Sequence, residues 1–286
     1  MRGVICAVVV LMLLPSRTLA GDYDVLRGAD APVGPAPFTR WSGIYFGGQV
    51  GYSSSVVSFS NSAQNDLGFI LRDTAIEQDQ NISSWPVLTN QHPASASYGG
   101  FIGYNVQFQD LILGSEFNYN RVSLTALASD VVTRSFSDST NLPAGHHYFY
   151  TVTAAAQAAL HMTDIGTFRA RAGWVLDCFL PYGFFGFAVG RTDVSNSGTV
   201  SYTAFDTPDN TTPPLNPLNP LAFGPVSQGN MQSGAFAYGF TTGVGLDVAV
   251  TSHIFLRGEF EFVYFAPVQG TQISIETARV GAGFKF

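Results

Sequence analysis

The sequence predicts an all-β fold, an eight-stranded antiparallel transmembrane β-barrel, and three observations lead to it. The first is the carboxyl-terminal segment 277–286, in which apolar residues alternate with Arg279, Lys285 and two glycines up to the terminal Phe286. This period of two is typical of a β-strand with one apolar face. Because soluble domains usually end in a polar, frayed tail, an aromatic terminus inside a strand favours the closing strand of a barrel.

The second observation is an export signal at the amino terminus. Arg2 precedes an apolar run from Gly3 to Leu14, and the small residue Ala20 follows at a cleavage position. The run is shorter than the roughly 20 residues that a transmembrane helix needs. We therefore expect a cleaved signal peptide at 1–20, a Pro/Ala-rich periplasmic arm at 21–40 and a barrel domain at 41–286.

The third observation is a series of eight segments that alternate in polarity. They are 44–53, 99–108, 111–120, a fourth that ends at Leu176, 181–191, 238–250, 254–265 and 277–286. One face of each carries large apolar side chains, and the other carries glycines and charges, as in barrel strands. The alanine-rich stretch 151–162 reads as extended, but the sequence leaves a short helix open there.

Short and long connections alternate between these segments. Tight turns are predicted at Gln109-Asp110, around Asp177-Cys178 and at 251–253, whereas 54–97, 121–150 and 192–236 are long polar links and 266–274 is a shorter one. Membrane barrels combine short periplasmic turns with long extracellular loops. Structureless links of this length are uncommon in compact soluble domains. We therefore predict that both termini lie on the periplasmic side.

Composition and charge exclude other classes of protein. The chain has 13 basic and 20 acidic residues, and removal of Arg2 and Arg17 with the signal peptide leaves a net charge of −9. An acidic chain with scattered cations argues against a nucleic-acid partner. Removal of Cys6 leaves Cys178 as the one thiol, so that no intramolecular disulfide can form.

Five segments occur in an order typical of one protein family. They are 41–52, 169–174, Pro181-Tyr182 with 187–190, 242–246 and 279–286. In these segments the chain resembles the small outer-membrane β-barrel proteins of alphaproteobacteria, the porin-like or immunogenic outer-membrane proteins. The resemblance implies an outer-membrane location, contact with outer-membrane lipids, and assembly by periplasmic chaperones and the barrel-insertion machinery. It also implies that Phe284 and Phe286 form the assembly signal that this machinery reads.

The polar faces of the strands would bring ten charges into one lumen. The positive residues are Arg169, Arg171, Arg257, Arg279 and Lys285, and the negative ones are Glu116, Asp177, Asp247, Glu259 and Glu261. An eight-stranded barrel is just wide enough for side chains to fill it, and buried charges persist only when they are paired. The balance of charge predicts a lumen network of salt bridges, not an ion-selective ring.

Aromatic residues near the strand ends predict interfacial girdles on the outward face. They are Trp41, Tyr52, Tyr104, Tyr119, Trp174, Tyr182, Tyr238 and Tyr264.

The sequence contains few candidates for catalytic or metal-binding residues. His146 and His147 are adjacent in a polar link near Asp138 and Ser139, but no second group with metal-ligand spacing accompanies them. Loop histidines are usually solvated, although a metal or haem contact or a hydrolytic dyad is the alternative. We expect no enzymatic activity, no cofactor and no metal site.

The predicted function is therefore structural: an outer-membrane barrel that supports envelope integrity and displays surface loops. Three alternatives remain open at this stage. They are a narrow porin-like diffusion channel for small solutes, a loop-based site for an extracellular ligand, adhesion or catalysis, and a soluble secreted barrel that binds an apolar ligand.

Overall fold

A computed structural model describes residues 40–59, 62–140, 142–215 and 219–286. Its strands are β1 Gly43–Ser58, β2 Ala94–Phe108, β3 Leu111–Asp138, β4 Tyr148–Trp174, β5 Phe179–Asp206, β6 Leu221–Ala249, β7 Ile254–Phe265 and β8 Gln272–Lys285. The helices are α1 Gln64–Ile70 and α2 Ala75–Gln80, followed by a 3₁₀ turn at Ile82–Ser84. The predicted signal peptide, and the predicted arm apart from Arg40, lie outside the described residues.

The eight strands form a closed antiparallel barrel, which confirms the predicted fold class. Each strand pairs with the next, and β8 closes the ring by pairing with β1, so that Phe46 lies opposite Phe284. The backbone N–H of Phe286 donates to the carbonyl of Ile44 at 3.1 Å and holds the terminus in place. A closed ring satisfies the ladder hydrogen bonds internally, which a membrane interior requires.

Strands β3 to β6 are about twice as long as the other four. They contain 27–29 residues, against 12–16 in β1, β2, β7 and β8. A membrane-spanning strand needs only about 9–11 residues. The outer halves of β3 to β6, at 122–138, 148–162, 192–206 and 221–234, therefore extend beyond a membrane as a four-stranded sheet, which we call the outer sheet.

The outer sheet corrects the predicted links. Most of 121–150 and 192–236 is strand, and the true connections are 139–147 and 207–220. The alternation of polarity in these strands is weak, because small buried residues such as Ala154 and Ala156 alternate with residues that carry hydroxyl groups. The hydroxyl groups form hydrogen bonds between strands, as those of Thr133 and Thr153 do at 2.9 Å. The stretch 151–162 is strand, since it pairs with β3 on one side and β5 on the other.

The link between β1 and β2 folds into a cap over the inner face of the outer sheet. This cap, residues 59–88 as far as they are described, contains α1, α2 and the 3₁₀ turn. Its Phe59, Leu67, Leu71 and Ile82 are fully buried in one apolar cluster with the small residues of β4. Gly198 on β5 makes room for the cap, because a β-carbon there would lie 2.7 Å from the Leu67 side chain.

None of the helices in the described part of the chain is both long enough and apolar enough to cross a bilayer.

Two of the eight predicted girdle aromatics are wrongly placed. Trp41 and Tyr182 are only 3% and 5% exposed and lie inside the barrel, where Trp41 packs edge-on against Phe255. Tyr182 shares the inward face of β5 with Phe184, since residues two apart on a strand point the same way. The other six are exposed or half-buried on the outside.

A buried histidine–carboxylate pair joins two outer connections. The Nδ1 atom of His146 lies 2.8 Å from Asp206 Oδ2, and the amide of Leu215 donates to the same oxygen at 2.5 Å. Burial raises the pKa of the Asp206 carboxyl, but the bonds from Leu215 and His146 outweigh it and hold this pKa below its ordinary value. The carboxylate therefore stabilises the joined loops above the ordinary aspartate pKa.

We expect this stabilisation to persist as the pH falls to about 4, the ordinary range for aspartate. It should be lost as the pH falls further, through the lowered pKa of Asp206. Asp206→Asn should loosen connections 139–147 and 207–220 even at neutral pH. The measurement is amide hydrogen exchange of both connections against pH, corrected for intrinsic rates. Asp177→Asn, in the exposed turn between β4 and β5, is the control. Equal exchange in wild type and Asp206→Asn would rule out this role.

Candidate functional site

Eight of the predicted lumen charges meet in one buried layer of the barrel. They are Glu116, Arg169, Arg171, Asp247, Arg257, Glu259, Glu261 and Arg279, and each is only 1–6% exposed. They come from five of the eight strands, β3, β4, β6, β7 and β8. Three opposite-charge pairs are direct cross-strand neighbours: Glu116 with Arg169, Asp247 with Arg257, and Glu259 with Arg279. We call these eight side chains the lumen network.

The half of the network nearer the short turns crosses the lumen from wall to wall. Arg257 Nη1 on β7 lies 2.8 Å from Glu116 Oε2 on β3, four strands away around the ring. Arg257 Nε also binds Asp247 Oδ1 at 2.8 Å. Arg171 Nη2 reaches the other Asp247 oxygen at 2.7 Å and its Nη1 approaches Glu116 at 3.2 Å. The Oε2 atom of Glu116 thus contacts two arginines, Arg171 from the adjacent strand and Arg257 from the opposite wall.

The outer half of the network is centred on Arg169 and Arg279. Arg169 Nη2 binds Glu116 Oε1 and lies 2.6 Å from Glu259 Oε1. Arg279 Nε donates to Glu259 Oε2 at 2.7 Å, and its Nη2 lies 2.8 Å from Glu261 Oε2. Every carboxylate of the network therefore contacts at least two arginines, and the layer has no net formal charge.

Aromatic side chains line the network and were not among the sequence-predicted site residues. The hydroxyls of Tyr45 and Tyr182 donate to Glu116 and Glu259, each at 2.7 Å. The guanidinium carbons of Arg169 and Arg171 lie 3.9 and 3.7 Å from the ring centres of Phe184 and Tyr182. The sequence does contain a signal for Tyr45. Alternation along β1 places it on the same polar face as Gly47 and Gln49, which is the face predicted to line the lumen.

Two predicted lumen charges lie apart from the network. Lys285 is at the end of the barrel that carries the short turns, where its Nζ donates to the Arg40 carbonyl at 2.8 Å and lies 4.2 Å from the centre of the Trp41 ring. The prediction for Asp177 is wrong, because this residue is exposed in the β4–β5 turn with a left-handed φ of 57°. Tight turns often place Asp in this conformation.

The chemistry of this site is structural pairing. Its carboxylates are occupied by guanidinium and hydroxyl donors, and above them the amide of Gln49 donates to Asn118 and Asn120 at 3.1 and 2.8 Å. Across the described ranges, no group of three or more His, Cys, Asp or Glu residues is arranged to hold a metal ion. His146, the predicted candidate for chemistry, is engaged with Asp206 far from this layer.

Breaking one side of the network should cost more than removing both. Arg279→Met leaves two carboxylates short of a partner and should lower the free energy of unfolding by about 3–5 kcal/mol. Adding Glu261→Leu removes one stranded charge and should recover part of that loss. A double-mutant cycle from denaturant unfolding in micelles measures the coupling. The control is Glu276→Leu, which removes an exposed carboxylate on β8 that lies outside the lumen network.

Strict additivity of Arg279→Met and Glu261→Leu would contradict this prediction. It would mean that the two side chains are hydrated separately, as in a water-filled lumen.

Comparison with solved structures gives remote similarities. Neisserial surface protein A is 12% identical, with 86% of this chain and 98% of that chain covered and a TM-score of 0.36. Ail, the attachment invasion locus protein of Yersinia pestis, is 11% identical, with 85% and 99% covered and a TM-score of 0.31. OprG from Pseudomonas aeruginosa is 11% identical, with 86% and 96% covered and a TM-score of 0.31. No curated protein matches the chain.

Unlike these remote structural similarities, the comparison with protein families assigns the chain to one family. The family described as outer membrane protein beta-barrel domain matches residues 29–286, which include all eight strands. This match agrees with the closed ring, its outward apolar face and its filled lumen. The chain therefore belongs to the outer membrane protein β-barrel domain family and is a protein of the outer membrane.

Proposed function

We propose that this protein is a non-conducting structural barrel that supports the envelope and displays the outer sheet at the cell surface. The observation that carries the proposal is the Arg257–Glu116 ion pair, which joins opposite walls of the lumen. Barrels that conduct through a wide aqueous channel have about 16–18 strands. Here eight strands enclose a layer of paired charges, so little space is left for solute.

A second obstruction supports the same function. The cap buries Phe59, Leu67, Leu71 and Ile82 against the outer sheet, at a level separate from the lumen network. A diffusion channel would require both levels to open, and the narrow-channel alternative is therefore disfavoured.

The outer sheet favours recognition at the cell surface as a second function. Four strands run well past the length that a bilayer needs, and they carry the connections 139–147 and 207–220. A barrel whose only task was to span the membrane would not need this extension. Binding or adhesion to an extracellular ligand through the outer sheet is the function that this feature supports, and no enzymatic role is proposed.

The wild-type protein should give no discrete conductance steps in planar lipid bilayers. Replacing cap residues 60–90 with a short Gly-Ser linker should leave the bilayer silent, because the lumen network still crosses the barrel. The same deletion combined with Glu116→Ser, Arg169→Ser, Glu259→Ser and Arg279→Ser should produce steps. Steps from the wild type, or from the cap deletion alone, would favour the channel alternative.

We also propose that the aromatic end of β8 acts in assembly by the insertion machinery. Phe286 is 71% exposed, and its ring lies 6.0 Å from that of Phe46. Deleting Phe286 should lower the amount of protein in the outer membrane while export continues, as measured by fractionation and immunoblotting. Phe46→Ala is the control, since it removes the ring contact but keeps the terminus. Equal loss in both variants would show that packing, not recognition, is responsible.

A further inference from the structure

Two arginines on the outside of the barrel flank one carboxylate without forming a close ion pair with it. Within the described part of the chain, Arg121 of β3 and Arg191 of β5 form no ion pair and no side-chain hydrogen bond. The other described arginines are all engaged. The four lumen arginines bind carboxylates, Arg40 donates to Ser42, and Arg72 and Arg134 lie over the rings of Phe69 and Trp85.

Arg121 and Arg191 lie in one row across three strands, with a carboxylate between them. Arg121 pairs in register with Asp164 on β4, and Asp164 pairs in turn with Arg191 on β5. The carboxylate of Asp164 is already held by the hydroxyls of Tyr119 and Thr163, each at 2.5 Å. Within the described part of the chain, the guanidinium groups of Arg121 and Arg191 donate no hydrogen bond, and they act on the Asp164 carboxylate between them only through longer-range attraction.

This row lies at the outer boundary of the apolar surface. From Leu111, beside the periplasmic turn, the outward-facing residues of β3 lead up to Tyr119 and Arg121. Ten residues of strand at about 3.3 Å each, tilted by about 40°, rise roughly 25 Å, which is the height of the apolar band of a membrane barrel. Arg121 and Arg191 are thus level with the headgroups of the outer leaflet.

An apolar groove lies directly beneath the row. It has a volume of about 460 Å³, and its lining includes Phe117, Phe168, Phe187 and Phe236 around Gly166. A β-carbon at Gly166 would have no neighbour closer than 3.9 Å, so that the glycine leaves an open slot between the rings. The same lining includes Arg191 and Asp164, so that the hydrocarbon slot ends at the charged row. This arrangement suits an amphiphile with an acyl chain and an anionic headgroup.

We propose that this groove is a binding site for a phosphate-bearing lipid of the outer leaflet. The phosphate lies between Arg121 and Arg191, and one acyl chain lies in the slot over Gly166. Guanidinium groups form charge-assisted, often bidentate hydrogen bonds with phosphate. Charge complementarity favours an anionic headgroup, because two cations flank one carboxylate in this row and leave a local formal charge of +1. The apolar groove beneath the row favours a lipid over a free anion.

The test uses the full-length protein in a neutral maltoside detergent, with native mass spectrometry as the readout of bound lipid. The probes are dioleoyl phosphatidic acid and dioleoylglycerol, which share their acyl chains and differ in the phosphate. One hydrogen bond to a charged group is expected to change affinity by about tenfold or more. Wild type should therefore bind phosphatidic acid about tenfold or more tightly than diacylglycerol.

Three variants separate the parts of the site. Arg121→Gln with Arg191→Gln should reduce phosphatidic acid binding to the level of diacylglycerol. Gly166→Leu should weaken binding of both lipids about tenfold by filling the slot while both arginines stay. Arg134→Gln, whose arginine lies over Trp85 away from the groove, is the matched control and should bind as wild type does. Unheated and boiled gel mobilities show whether each variant is folded.

Two results would overturn the proposal. One is unchanged phosphatidic acid binding in the double arginine variant. The other is displacement of phosphatidic acid by inorganic phosphate at equal concentration, which would identify a free-anion site in place of a lipid site. If Gly166→Leu does not fold, the arginine variant and the phosphate competition still decide between these outcomes.

Discussion

The pairing of charge inside a narrow ring is the constraint on which the rest of this barrel depends. Eight strands leave room only for side chains, and a charge in that space is stable only with a partner. Four arginines and four carboxylates meet this requirement because three of the pairs are cross-strand neighbours. The register of β3 with β4, β6 with β7 and β7 with β8 is therefore tied to the lumen. A slip of one residue in any of these strands would turn the charges of that strand to the lipid face.

The same constraint explains why the barrel changes character along its axis. Arginine–carboxylate pairs fill the lumen at the level where every strand is present. Further out, only β3 to β6 continue, and the space they partly enclose is filled by the cap with apolar side chains. Small residues on β4, such as Ala154 and Ala156, accept Leu67 and its neighbours there. The cap thus covers the inner face of the outer sheet, which would otherwise expose an apolar surface to water.

The sequence was sufficient where contrast between the two faces of a strand was strong. The alternation around Arg169 and Arg171, or around Glu259 and Glu261, predicts both the strand and its inward face. The prediction of strands failed where the two faces of a strand differ little in polarity. In 121–150, for example, alternating Ala, Val, Ser and Thr resemble a polar link. The prediction that Asp177 faces the lumen was wrong for a different reason. Asp177 lies in a turn, where the alternation of a β-strand does not determine the direction of a side chain.

Tyr182 shows what the sequence contained but the prediction missed. It lies two residues before Phe184 and four before Gly186 on one strand, so parity places it in the lumen, yet its aromatic character suggested a girdle. What the sequence could not supply is the pairing across the lumen. The contact between Arg257 and Glu116 joins residues that are far apart along the chain and four strands apart around the ring. Only closure of the ring brings them together.

The position of each arginine along and around the barrel decides what it can do. Arg169 and Arg191 lie on adjacent strands, but one faces the lumen and the other the membrane surface. Arg169 loses its hydration inside the lumen, and its ion pairs with Glu116 and Glu259 offset the free-energy cost of that loss. Arg191 stays exposed at headgroup level, while the carboxylate beside it is satisfied by hydroxyls. Above this level the described acidic residues predominate, among them Asp66, Glu77 and Asp130, so the cations at the boundary separate an apolar band from an acidic outer surface.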